Sequence, residues 1–111
     1  GILKLFSDEK TADVVFDVDG REKFYAHRLI LRTCAPALAD YCGGAEEDGG
    51  VASVPISDVE PDIFHQVLYY VYGGTVPERA FRDSAREIVE AADRFGVGNL
   101  KVEAEGWYME S

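Results

Sequence analysis

The sequence predicts an α+β fold, on three observations. Apolar alternation around an Asp-Gly pair marks a β-hairpin near the start. Helical periodicity takes over after it, interrupted by one further short strand. Neither βαβ alternation nor an internal repeat is present, which sets aside doubly wound and solenoid architectures. The 111 residues suffice for a single domain, taken as 1–111, able to bury roughly two-thirds of its unfolded surface. Because the chain opens on Gly1 and its sole methionine is Met109, it is expected to be a piece of a longer protein.

Each element has its own signal. Val14, Phe16 and Val18 alternate with Val15 and Asp17, the pattern of a strand buried on one face. Asp19-Gly20 supplies the turn, and Glu22 to Ala26 return as the second strand. After His27 the period becomes helical through Leu29, Ile30 and Leu31, and Pro36 opens a second short helix through Ala37–Tyr41. "GGAEEDGG" (43–50) is a polar, glycine-flanked loop, and a strand is expected at Ala52–Ile56. Pro61 starts a helix whose stripe is Ile63, Phe64, Val67, Leu68 and Val71, stopped by Gly73-Gly74. The Ser84/Glu87 spacing fits a capping box before the stripe Ile88, Val89, Ala92 and Phe95, with Gly96 as the stop. A last helix covers roughly 99–109, with Leu100, Ala104 and Trp107 facing inward.

Composition excludes several classes of function. The formal net charge is −10, and the 11 basic residues are scattered, so no cationic stripe exists for phosphates or anionic membranes. No apolar run is long enough to span a bilayer. Cys34 and Cys42 are read as thiols rather than a bridge, which points to a reducing compartment, cytoplasmic or nuclear.

Chemical motifs are equally sparse. His27, Cys34, Cys42 and His65 match none of the close paired spacings of structural zinc sites. His27 and Cys34 are two helical turns apart, roughly 10 Å of rise, too far for a nucleophile–base pair. No phosphate-cradling glycine pattern or nucleophile elbow occurs. The chain is therefore read as non-enzymatic, with no cofactor and no metal. At a strand-to-helix junction, His27 reads as a packed residue whose ring nitrogens are satisfied, with Asp13 as the expected carboxylate partner. Leu29, Ile30 and Leu31 compete for the core, which leaves one of them facing out beside Arg28 and Arg32. An exposed apolar helix face flanked by arginines has the composition of a protein interface.

These residues also carry a resemblance. Asp13-Val14, Ala26-His27-Arg28, Leu31, Ala35-Pro36, "ISDVEPDIFHQVLYYVYGGTV" and "EAADRFGVGNLKVEAE" cover nearly the whole chain in order. Together they resemble the BTB/POZ domain, most of all the domains that follow a MATH domain in ubiquitin-ligase adaptors. The resemblance implies a helical cluster capped by a short three-stranded sheet, and a module that homodimerises. It implies a dimer surface built from Ile2, Leu3, Leu5, Phe6, Leu29 and Arg32, with Asp13 and Arg28 lining a charged pocket and His27 structural beneath it. It further implies an adaptor for a cullin-3 RING ubiquitin ligase, its substrate bound by a domain outside these residues. Tyr41, Ala45, Glu47 and Tyr69 are the cullin-facing positions, Ala45-x-Glu47 being a version of the family's apolar-x-Glu motif with a small anchor. The alternative is a purely structural oligomerisation domain of a transcription regulator or scaffold protein.

Overall fold

A computed structural model describes residue 6, residues 8–42 and residues 51–110. In chain order these form β1 (Val14–Val18), β2 (Glu22–Ala26), α1 (Arg28–Cys34), α2 (Pro36–Asp40), β3 (Ala52–Ile56), α3 (Pro61–Gly73), α4 (Glu78–Phe95) and α5 (Gly98–Glu110). The expected α+β architecture is what the chain adopts: a helical cluster with a three-stranded sheet, in strand order β2-β1-β3.

The sheet follows from the alternation in β1. Val14, Phe16 and Val18 are fully buried, while Val15 and Asp17 lie on the half-exposed face. β2 pairs antiparallel with β1, setting Phe16 opposite Phe24. The three-residue connection turns at Asp19 (φ 55°) and Gly20 (φ 69°), and the Arg21 N–H donates to the Val18 carbonyl at 2.9 Å. Both angles are in the left-handed region that a type I′ turn requires. β3 joins the other side of β1 in parallel, with Phe16 opposite Val54 and Val18 opposite Ile56. Pro55 is tolerated because β3 is an edge strand, where a missing N–H need not break a ladder.

Phe64 on α3 is the hub of the core. Its ring meets Phe16 at 5.3 Å, Phe24 at 5.4 Å and Phe95 at 5.4 Å, and so joins both hairpin strands to α4. The stripe Ile63, Phe64, Val67, Leu68 and Val71 is buried as its spacing predicts, and Tyr72 extends it. Gly74 ends α3 at φ 75°, its N–H donating to the Tyr70 carbonyl at 2.7 Å.

One helix departs from the sequence reading. The expected start at Ser84 is instead a kink (φ −141°, ψ 30°) inside a longer α4 that begins at Glu78. The added turn has a packing reason: it buries Phe81, which stacks on Trp107 of α5 with centroids 5.9 Å apart. At its other end α4 stops at Gly96, φ 78°, where the chain passes very close to α2.

Candidate functional site

The region around His27 is built where the ends of β1 and β2 meet α1 and α3. His27 is buried, and its ring is held on both sides. Nδ1 lies 2.7 Å from the Tyr72 hydroxyl and Nε2 lies 2.7 Å from Thr11 Oγ1. The His27 backbone N–H also donates to the Tyr72 hydroxyl, at 2.9 Å. Either ring tautomer satisfies all three contacts: Tyr72 accepts the backbone N–H and either donates its own proton to Nδ1 while Nε2–H donates to Thr11, or accepts Nδ1–H while the Thr11 hydroxyl donates to Nε2. Burial pushes the Tyr72 phenol up to about 12, with Asp13 and Cys34 adding to the rise and the His27 N–H opposing it. Tyr72 therefore stays a neutral phenol at ordinary pH.

Asp13 does not take the place expected of it. The hairpin does bring it to the start of α1, but it serves Arg28 rather than His27. Asp13 Oδ1 accepts the Arg28 backbone N–H at 2.9 Å, and Oδ2 lies 3.9 Å from Arg28 Nη1. His27, at the N-cap, makes no side-chain capping bond, so Asp13 satisfies an orphan N–H of α1 from another element. The Arg28 side chain is 13% exposed and that of Asp13 46%, so the pair forms a partly covered charged site at the surface.

Next to this pair α1 sorts its three apolar residues by helical phase. Leu31 is fully buried and Ile30 half-buried, whereas Leu29 is 72% exposed. Arg32 is exposed on the same helix. Thr33 returns its hydroxyl to the Leu29 carbonyl at 3.0 Å. The apolar residue expected to face out is thus Leu29.

Phe6 enters an aromatic slot on α3. Its ring lies edge-on to His65 and Tyr69 at 5.3 Å each and to Tyr72 at 5.9 Å. Tyr69 consequently packs against Phe6 and His65, while Tyr41 sits elsewhere, edge-on to Phe95 at 5.6 Å. Arg94 Nε donates to the Tyr41 hydroxyl at 3.1 Å. Of the positions singled out in the sequence, Ile2, Leu3, Leu5, Ala45 and Glu47 lie outside the described residues. Cys34 and Cys42 are both thiols, not joined in a disulfide.

Sequence reasoning missed Thr11 and Tyr72 as the partners of His27. Tyr72 left a trace, since it falls four residues after Leu68 on the α3 stripe. Thr11 left none. Arg94, which ties Tyr41 to the Ser57 carbonyl (Nη1–O 2.6 Å), was equally silent.

Known proteins show the same pattern. The family model for the BTB/POZ domain matches residues 2–107. An Arabidopsis thaliana BTB/POZ and MATH domain-containing protein 3 is 28% identical over 92% of this chain and 27% of its own length. A Mus musculus Kelch repeat and BTB domain-containing protein 4 is 33% identical over 90% of this chain and 18% of its own. The chain thus spans about a quarter or less of these curated relatives. Among solved structures, the BTB domain of human Gigaxonin superposes with a TM-score of 0.72 at 18% identity, covering 89% of this chain and 79% of that one. The BTB domain of zebrafish PATZ1 gives 0.67 at 20% identity, covering 90% and 77%. These two establish the shared fold. With its sheet, its helical cluster and nearly its whole length matched, the chain belongs to the BTB/POZ domain family and is a protein-interaction module.

Proposed function

We propose that the chain homodimerises and serves as the substrate adaptor of a cullin-3 RING ubiquitin ligase in the cytoplasm or nucleus, a domain elsewhere in the protein choosing the substrate. The observation that carries the reading is Leu29, 72% exposed on α1 beside the Asp13–Arg28 pair. An apolar side chain next to a partly covered ion pair suits the centre of a self-complementary interface, where burial of the leucine would contribute about 1.5–3 kcal/mol per copy. Phe6 packs edge-on against His65 and Tyr69 of α3, on the same α3 face that carries Tyr72. The MATH and Kelch relatives support the adaptor role, since each joins a BTB domain to a second kind of domain.

In this reading Tyr41, Tyr69, Ala45 and Glu47 are the positions offered to the cullin, Tyr41 beside Phe95 and Tyr69 beside His65. An alanine in the anchor position returns little apolar burial. Titration calorimetry with the cullin-3 N-terminal domain tests the reading. Saturable but weak binding is expected, tightened by Ala45→Met by up to about 1.5–3 kcal/mol. Absence of binding to either form would favour the purely structural oligomerisation domain.

A further inference from the structure

We propose that a groove at the other end of the sheet docks a basic segment of a partner protein, an aliphatic side chain entering it between flanking arginines or lysines. The groove has a volume of about 330 Å³ and an apolar floor of Val59, Ile63 and Ala91, contributed by the β3–α3 connection, α3 and α4. That volume is at the lower end of the range for ligand pockets, about 300–1,000 Å³, and suits one side chain rather than a cofactor.

The rim sets the charge of the occupant. Asp19, Asp58, Glu60, Glu87 and Glu90 line the groove with Arg94, while Arg21 and Arg86 reach Asp19, Glu60 and Glu90 from outside the lining. Arg94 is turned inward, bonded to the Ser57 carbonyl and the Tyr41 hydroxyl and stacked 4.8 Å from the Phe95 centroid. It therefore offsets the rim only in part. Arg21 shows that a guanidinium fits this edge: it reaches Asp19 at 3.7 Å and Glu60 at 3.4 Å, through exposed contacts that a competing cation can replace. Asp58, Glu87 and, beyond its 3.5 Å contact with Arg86, Glu90 face the remaining approach. Nucleic acids and anionic membranes are repelled by such a rim; a cationic peptide is steered to it.

The groove adjoins Tyr41, to which its Arg94 is bonded, and lies apart from the Asp13–Arg28 site. Asp13 precedes β1 and Asp19 follows it, so the two sites are separated by the length of that strand, roughly 17 Å. A dimer formed through α1 leaves the groove open. The proposal therefore goes beyond the adaptor reading and does not depend on it.

Fluorescence anisotropy with a labelled nonapeptide tests it, the peptide carrying a central leucine with two arginines on each side and glycine or serine elsewhere. Saturable binding is expected, with a dissociation constant of about 10–300 µM at low salt. The double variant Glu87→Lys, Glu90→Lys should weaken it by about tenfold or more, and so should serine in place of the peptide's leucine. Both glutamates are exposed on α4, so circular dichroism should show the fold unchanged. Leu29→Asp should leave binding as it is. No saturation by about 1 mM peptide, equal binding of the serine peptide, indifference to the double variant, or weakening by Leu29→Asp would each overturn the proposal.

Discussion

His27 illustrates what a single residue reveals and what it hides. Its junction position marks it as packed rather than catalytic, and it is buried and bonded on both ring nitrogens. Its principal partner, Tyr72, lies 45 residues away, a separation that local pattern cannot bridge. Asp13, the partner that chain proximity suggests, is drawn instead to the backbone and guanidinium of Arg28. Tyr72→Phe removes one hydroxyl serving two His27 groups, so it should cost about 1–3 kcal/mol in urea denaturation. The same hydroxyl sets an alkaline limit. Its folded pKa of about 12 exceeds the ordinary value of 10.0 because burial disfavours the phenolate. Tyr70 is likewise pushed up to about 12, by burial and by its 2.7 Å hydrogen bond to Glu103. Raised folded values mean that this contribution to stability is complete below pH 10 and is lost as pH climbs toward 12. Denaturation midpoints measured between those limits should fall steadily, and less steeply in Tyr72→Phe.

At the scale of elements, the hairpin and α3 were legible because each signal was doubled. β1 joins an alternating stripe to an Asp-Gly turn, and α3 joins an N-terminal proline to a glycine stop. α4 was legible only from Ser84 onward. Its first turn carries one core residue, Phe81, whose partner Trp107 comes from α5, so no local stripe announced it. The glycine stops can be tested against one another. Gly96 has φ 78°, and an added Cβ would come within 2.8 Å of the Ala37 Cβ on α2. Gly96→Ala should therefore lower stability by about 1–3 kcal/mol, through left-handed strain and through displacement of α2. Gly106 lies within α5 with nothing within 4 Å of an added Cβ. Gly106→Ala should raise stability by about 0.5–1 kcal/mol, because alanine is the better helix former. Equal effects of the two substitutions in urea titrations would mean that the α2–α4 approach is looser than described.

For the whole molecule, the family was legible because its matching residues run in order along nearly the entire chain. The exposed apolar face of α1 was legible only as composition. That α1 must expose an apolar residue followed from its crowding, yet that Leu29 rather than Ile30 or Leu31 faces out depends on helical phase against α2 and α3. Charge adds a constraint on self-association. Two copies of net charge −10 repel each other, and salt screens that repulsion over about 8–10 Å at physiological ionic strength. An interface centred on Leu29 should accordingly hold or tighten as salt is raised. Sedimentation velocity from about 1 to 100 µM tests this most directly. The parent chain is predicted to sediment as a concentration-dependent dimer and Leu29→Asp as a monomer with unchanged far-UV circular dichroism. A parent chain that stays monomeric across that range, or a Leu29→Asp variant that dimerises as the parent does, would contradict the account.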